Sequence, residues 1–258
     1  MLGATAQAQV FNGGIPAGYT CAGVCSTATT PDGSIAAVPT GSSRVGYVTT
    51  AGSDNFANPL GIAGSTNGSQ LLSSPFVGTA GQNLSFFFNF ITSDGTSTYT
   101  DYAYVQLIGL ASGTTTLFTA RTNPSGSTVP GFGLPGIAPG VVISPYPVGV
   151  TPGATFFSGL GSSSGDCYHG PGAGCGDTGW IQASLNLAAN DTYQIMFGVN
   201  NESDTAYDTA LLFDFGAGEG GVPEVPPPTT VPEPASLVLL GTGLIGVFGI
   251  ARRKRNVA

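Results

Sequence analysis

The chain has 258 residues, of which 41 are glycine, 19 are proline and only 8% are charged. This length allows one sizeable all-β domain, or two small ones, with an ample core. The formal net charge is −8, and before Ala235 only Arg44 and Arg121 oppose 14 acidic residues. Such an acidic surface repels phosphate backbones, which argues against nucleic acid as a partner.

The first ten residues, 1–10, contain the small-residue arrangement Ala6-Gln7-Ala8. This arrangement is typical of a signal-peptidase cleavage site, although no basic start and no full apolar core precede it. We interpret Met1 as lying inside a longer signal peptide, of which residues 1–10 are a remnant. The alternative is an N-terminal tail.

Strand signals begin at residue 44, after a glycine- and threonine-rich segment that shows little periodicity. Short apolar blocks bounded by Gly, Pro, Asn and Ser predict strands at 44–50, 70–77, 84–92, 102–110 and 115–122. The block LSFFFNFIT is nearly continuously apolar, as expected of a strand in the core of a sandwich. Asp94 and Asp101 lie at the two ends of the loop that follows it.

Residues 123–179 are rich in glycine, proline and serine. A structureless loop of that length would be unusual in a compact domain, so we expect short strands or an excursion stapled by Cys167 and Cys175. Three further strands are predicted at 180–187, 193–200 and 206–215. No convincing helical period occurs before Ala235.

The C-terminal part combines a Pro/Gly linker, 217–231, with an apolar run and a basic end. Residues 235–251, ASLVLLGTGLIGVFGIA, carry no charge and would form a helix about 25 Å long. This run is apolar all round and stops at Arg252, Arg253, Lys254 and Arg255. It predicts one membrane-spanning helix with a cytoplasmic C-terminus. A core helix with a solvated basic tail is the alternative.

A resemblance to a known signal lies in the same segment. The order Val231-Pro232-Glu233-Pro234-Ala235-Ser236, a glycine-broken apolar helix and a terminal Arg-Arg-Lys-Arg cluster resembles the PEP-CTERM sorting signal of exported bacterial proteins, here 232–258. The resemblance implies cleavage near Pro232, Glu233 and Pro234 by an exosortase. It further implies a single-pass inner-membrane precursor that is delivered to the cell surface or the extracellular polysaccharide matrix.

A second resemblance covers roughly residues 40–216. FNFITSD with DYAYVQL, followed by a W-x3-S-x-N-L strand, IMFGVNN and YDTALLFD, is similar to the β-sandwich ectodomains of PEP-CTERM and choice-of-anchor proteins. It implies an all-β, jelly-roll-like β-sandwich ectodomain at 11–216, and it brings no known activity. Two stacked sheets would bury Phe86, Phe88, Phe90, Val105, Leu107, Trp180, Leu185, Ile195, Phe197, Leu211 and Phe213 between them.

The four cysteines fall as two local pairs, Cys21/Cys25 and Cys167/Cys175. In an exported chain two disulfides are expected, and local pairing is favoured, although four cysteines allow three connectivities. Zinc is the alternative, with His169 as a further ligand. The spacings Cys-x3-Cys and Cys-x7-Cys depart from the tight spacing of a structural zinc site.

Two kinds of catalysis are conceivable from the residues. Nucleophilic catalysis would need His169, the only histidine, as its base, and this residue lies in a glycine-rich loop. Paired carboxylates for glycoside cleavage could come from acidic residues at strand ends, although the sequence does not show which of them face each other. These residues are Asp94, Asp101, Asp204, Asp208 and Asp214.

Calcium is the one cofactor that the residues suggest. Asn201, Glu202, Asp204 and Asp208, with Asn200 beside them, supply oxygen ligands within nine residues of a predicted loop. A solvated acidic turn is the alternative, and no EF-hand pattern is present.

The functional hypothesis is an exported surface or matrix protein with a structural or adhesive role, and not an enzyme. Its expected partners are an exosortase, the membrane and an extracellular polysaccharide. The alternative is a calcium-dependent sandwich that binds or cleaves carbohydrate, in which Tyr99, Tyr102 and Tyr104 could stack on sugar rings if they are not core residues.

Overall fold

The computed structural model describes residues 11–55, 58–122, 126–170 and 174–215. Several predicted features lie outside these ranges: the N-terminal segment 1–10, the linker 217–231, the motif Pro232-Glu233-Pro234, the apolar run 235–251 and the basic residues 252–255. In the described ranges, no helix is both long enough and apolar enough to cross a bilayer.

Two antiparallel sheets form a β-sandwich. The first sheet runs in the order β1-β4-β13-β7-β8, and β5 pairs with β13 beside β4. Its strands are β1 Thr20–Ala22, β4 Ser65–Leu72, β5 Phe76–Gly78, β7 Tyr102–Gly109, β8 Gly113–Arg121 and β13 Asp191–Glu202.

The second sheet runs in the order β10-β11-β6-β14-β3-β2, and β12 pairs with both β6 and β9. Its strands are β2 Val24–Thr29, β3 Arg44–Thr49, β6 Asn83–Thr92, β9 Val142–Ser144, β10 Thr151–Pro152, β11 Gly176–Asp177, β12 Ile181–Asn186 and β14 Thr209–Asp214. Two short 3-10 helices complete the described elements, at Phe11–Gly13 and Ser158–Ser163.

The main core lies between the sheets. Phe197 of β13 stacks on Phe213 of β14, with ring centroids 3.9 Å apart and an angle of 6° between the rings. Because side chains alternate along a strand, Ile195 and Val199 point inward with Phe197, and all three are fully buried. The predicted core is confirmed at Phe86, Phe88, Phe90, Val105, Leu107, Ile195, Phe197, Leu211 and Phe213, with Leu185 partly buried against it.

Trp180 is the exception in the predicted core. It packs on the outer face of the second sheet, and its Nε1 donates to the carbonyl of Ala36 at 2.9 Å. Its neighbour Ile181 is the residue that enters the main core. Adjacent residues in extended backbone face opposite ways, so the two cannot share one side of the sheet.

The centre of the second sheet, formed by β6 and β14, is buried on both faces. Its outer face carries Ile91 and Leu212, which pack against Ile35 and Phe157 from loops and against Leu160 of the second 3-10 helix. A strand buried on both sides has no solvent face on which to place polar residues. This explains why the sequence of β6 is nearly continuously apolar.

Tyr102 and Tyr104 are buried on the outer face of the first sheet, with no exposed surface. They pack with Met196, and partly buried residues from the loops cover them. These two tyrosines are therefore core residues, which is the commoner place for tyrosines in a strand, and they are not available to stack on sugar rings.

The strand predictions hold for element type and miss some boundaries. Each of the eight predicted blocks contains a strand, but the block 70–77 contains the end of β4 and most of β5. The segment before residue 40 holds β1 and β2, whose small polar residues gave no signal. The expectation of short strands within 123–179 is confirmed by β9, β10 and β11.

Candidate functional site

At one end of the sandwich the interior changes from apolar to polar. Thr92 and Thr209 are paired across β6 and β14, and their Oγ1 atoms lie 2.9 Å apart. The Thr209 hydroxyl donates to Asp101 Oδ2 at 2.7 Å, and the backbone N–H of Glu202 donates to Asp101 Oδ1 at 3.0 Å. Asp101 therefore links strand β14 of one sheet to strand β13 of the other.

Asp94 and Asp101 are both buried, at 1% exposure each. Burial raises the pKa of Asp94 to about 6, and the negative charge of Asp204 adds to this effect. Burial also raises the pKa of Asp101 well above its usual range, which the hydrogen bond from Thr209 partly opposes. The two carboxyls and Asp204 thus form one electrostatically coupled acidic group.

Three tyrosines, Tyr99, Tyr168 and Tyr207, form an aromatic cluster beside these acids, which we call the tyrosine cluster. Tyr168 is its centre, with ring centroids 5.4 Å from Tyr99 and 4.9 Å from Tyr207. The three tyrosines are half-buried, and the exposed His169 ring lies 4.3 Å from Tyr168. The sequence analysis did not single out Tyr168, which lies in a glycine-rich segment, and it placed Tyr207 in the predicted strand 206–215 without a role in a site.

The second disulfide holds Tyr168 in place. The loop that carries Tyr168 is closed by Cys167 and Cys175, whose Cα atoms lie 5.7 Å apart. The Tyr168 N–H donates to the carbonyl of Ser93, just beyond the end of β6, at 2.9 Å. Gly95 allows this approach, since a Cβ there would lie 2.6 Å from the backbone of Gly174.

The backbone is strained next to the tyrosine cluster. Ser203, Tyr207 and His169 have φ values of 77°, 57° and 60°. In the described ranges they are the only residues other than glycine with positive φ. Such conformations persist where the surrounding structure fixes them, and they concentrate at functional sites.

The loop 203–208 also borders an open polar pocket of about 670 Å³. Asp208 lies in its wall and accepts hydrogen bonds from Thr50 at 3.1 Å and from Ser163 at 2.8 Å. The pocket is lined by Thr50, Gly52, Ser53, Asp54, Thr66, Asn67, Ser162, Thr205 and Asp208. Its walls thus offer hydroxyl, amide and carboxylate groups to a polar ligand.

The four predicted calcium ligands make separate contacts. Glu202 forms an ion pair with Arg121, Asp204 Oδ1 accepts from the N–H of Ala206, and Asp208 is held in the pocket wall. Asn201 is fully buried, and neither of its side-chain atoms has a hydrogen-bond partner in the described structure. No three Asp, Glu, His or Cys side chains within these ranges are grouped so as to hold a metal by themselves.

The acidic residues considered for glycoside cleavage divide between the two ends of β14. Asp94, Asp101 and Asp204 meet at the polar end, whereas Asp214 closes the opposite end of the strand and binds Thr40. A Gly-x-Ser-x-Gly pattern does occur at 161–165, but its Ser163 lies in a 3-10 helix and contacts Asp208. The His169 ring contacts Tyr168 instead.

Both cysteine pairs form disulfides, which confirms local pairing and rules out zinc at these thiols. Cys21–Cys25 joins β1 of the first sheet to β2 of the second, with a Cα–Cα distance of 6.0 Å. Cys167–Cys175 closes the tyrosine-bearing loop.

The C-terminal segment provides the identification. Residues 230–255 match the PEP-CTERM protein-sorting motif. The chain carries a PEP-CTERM sorting signal. This confirms the resemblance of the C-terminal segment to that signal and implies that the protein is exported and processed at its C-terminus. Exosortase recognises the PEP-CTERM motif, which supports an exosortase as the processing partner.

Solved structures similar to this chain include adhesin domains of Lys-gingipain. The K1 domain from Porphyromonas gingivalis is 12% identical with a TM-score of 0.38, over 83% of this chain and 100% of that domain. The K3 domain from the same organism is 12% identical, with a TM-score of 0.36 over 80% and 94%. The K2 domain is 16% identical, with a TM-score of 0.35 over 78% and 88%.

Among curated proteins, none matches the chain.

Proposed function

We propose that this protein is a non-enzymatic adhesive protein of the bacterial surface or matrix, whose sandwich binds extracellular polysaccharide at the tyrosine cluster. The observation that carries the proposal is the half-exposed group of Tyr99, Tyr168 and Tyr207. A tyrosine presents an apolar ring with a polar hydroxyl, which suits the C–H faces and the hydroxyls of a sugar. Sorting to the cell exterior brings such a site to the matrix polysaccharides.

The groups around the tyrosine cluster suit sugar hydroxyls. The negative charge of Asp204 acts on Tyr168. Thr205 and Asp208, which belong to the same loop as Asp204, line the polar pocket. Carboxylates accept hydrogen bonds, and threonine hydroxyls both donate and accept them. The acidic surface opposes uronic acids and sulfated sugars, so the proposed ligand is a neutral polysaccharide.

A binding assay on the full chain in mild detergent tests the proposal, with arrays of neutral and acidic polysaccharides. We expect neutral glycans to bind, and Tyr168→Ala to weaken binding at least tenfold. Tyr146→Ala is the matched control, because Tyr146 is 60% exposed and lies outside the cluster. Equal binding by both variants would refute the tyrosine site. Release of new reducing ends would instead favour the carbohydrate-cleaving alternative.

The route to the surface is a separate proposal. We propose that 235–251 holds the precursor in the inner membrane with Arg252, Arg253, Lys254 and Arg255 in the cytoplasm, until an exosortase acts near Pro232. The support is the charge pattern, because four consecutive cations resist transfer across hydrocarbon. A reporter fused after Ala258 should be cytoplasmic, and an extracytoplasmic reporter would contradict this topology.

A further inference from the structure

One buried amide in the described structure lacks every hydrogen bond that its side chain could make. Asn201 has no exposed surface, and both Oδ1 and Nδ2 are without partners among the described residues. Burial of an amide without hydrogen bonds lowers stability by about 1–3 kcal/mol, so native structures rarely leave such an amide without a partner. The unpartnered amide of Asn201 therefore indicates that a polar group or ion, which the described residues do not supply, binds beside it.

The direction of Asn201 follows from its strand. Phe197 and Val199 of β13 point into the space between the sheets, and Asn201 continues that alternation. The next N–H along the chain, that of Glu202, binds Asp101 Oδ1. The amide of Asn201 thus lies in the interior layer that contains Asp101.

A second unpartnered oxygen belongs to the same acidic group. Asp94 is 1% exposed, its Oδ1 accepts from the Gly95 N–H at 2.7 Å, and its Oδ2 has no partner in the described part of the chain. Thr92 connects the two carboxyls, since its hydroxyl accepts from the Asp94 N–H and lies next to Thr209, which binds Asp101. Two buried acids and an unsatisfied amide therefore share one polar layer.

Positive charge is scarce in this layer. The guanidinium of Arg121 forms its ion pair with Glu202, and this is the only ion pair within the described ranges. Arg44 begins β3, at the end of that strand opposite to the polar layer. Buried carboxylates are stable as charges only when they are paired or bind a metal, and otherwise they take up protons.

We propose that Ca²⁺ binds in this interior layer, with Asp94 Oδ2, a carboxylate oxygen of Asp101 and Asn201 Oδ1 as its protein ligands. Calcium takes six to eight oxygen ligands from carboxylates, amide oxygens, backbone carbonyls and water. It satisfies the free oxygens of Asp94 and Asn201 and neutralises both carboxylates. The inference does not depend on polysaccharide binding.

Calorimetric titration of the full chain with CaCl₂, after treatment with EGTA and at pH 7.5, tests this inference. We expect one saturable site and a higher Tm with calcium. Terbium gives a second readout, because Tyr99 and Tyr168 lie beside the acidic group and can sensitise its emission. Absence of binding and of a Tm shift at millimolar calcium overturns the proposal.

Three variants distinguish this site from loose binding to the acidic surface. Asp94→Asn keeps the side-chain size and should weaken calcium binding at least tenfold, as should Asn201→Ala. Asp191→Asn is the control, because Asp191 begins β13 at the opposite end of the strand. Circular dichroism establishes that each variant is folded. Unchanged affinity in Asp94→Asn and Asn201→Ala, or an equal loss in Asp191→Asn, overturns the assignment.

Discussion

Truncation of Phe197 to alanine tests how the two sheets are held together. Phe197 has no exposed surface, stacks on Phe213, and meets Phe86 and Phe215 edge-on at 5.4 Å and 5.7 Å. A buried Phe→Ala change costs about 3–5 kcal/mol through lost transfer energy and the cavity left behind. Since three ring contacts are lost as well, we expect the upper part of that range, about 4–5 kcal/mol.

Urea unfolding of the full chain in mild detergent measures this loss. Trp180, the only tryptophan, reports from the outer face of the second sheet, and circular dichroism reports on the strands. Phe132→Ala is the matched control, because Phe132 is 55% exposed and its loss should change stability by about 0.5 kcal/mol or less. A Phe197→Ala loss below about 1 kcal/mol would refute the inter-sheet core as the source of stability.

Three further predictions concern the polar end, its loop and the first sheet. Without calcium, Asp94→Asn should stabilise the protein more at pH 7.5 than at pH 4. Burial raises the pKa of Asp94 from 3.8 to about 6. Ionisation of Asp94 in the folded protein therefore lowers stability as the pH rises from about 4 to about 6, and asparagine removes this loss. Replacing Cys167 and Cys175 by serine should lower the free energy of unfolding by about 2–3 kcal/mol, because the open loop gains entropy when unfolded, and should weaken glycan binding. Gly198→Ala should cost about 1–3 kcal/mol, because its Cβ would lie 2.1 Å from the buried ring of Tyr104.

Each of these predictions has its own check in the same urea titrations. An Asp94→Asn effect that is equal at both pH values would contradict the raised pKa. Replacing Cys21 and Cys25 by serine should destabilise the protein and leave glycan affinity intact, because that disulfide lies between β1 and β2. Gly149→Ala is the neutral control for Gly198→Ala, since a Cβ at Gly149 meets nothing within 4 Å.

Part of the candidate site was visible in the sequence. Asp94 and Asp101 were placed correctly at the two ends of one loop, because strand signals on either side define that loop. Asn201 was noticed only as one oxygen donor in an acidic segment. Its inward direction depends on the alternation of β13, which starts at Asp191 and places Asn201 in one row with Phe197.

The positions of several tyrosines could not be predicted from the sequence. Tyr102 and Tyr104 alternate with apolar residues in a strand, and this pattern alone does not say whether the second face meets solvent or a covering loop. The loops that bury them come from distant parts of the chain. Tyr168 lies in an irregular segment and Tyr207 lies just before β14, and no local pattern connects two residues so far apart in the chain.

Features that depend on neighbouring residues can be predicted from the sequence: the strand blocks, the preference for local disulfide pairing and the sorting signal at the C-terminus. Which residues meet at the polar end depends on the folded structure, where the Thr209 hydroxyl reaches Asp101 across 108 positions of chain. Sequence patterns do not predict such a contact, because periodicity, turn signals and charge runs act over a few residues. Sheet order and register are fixed by burial of the whole core, which no short segment encodes.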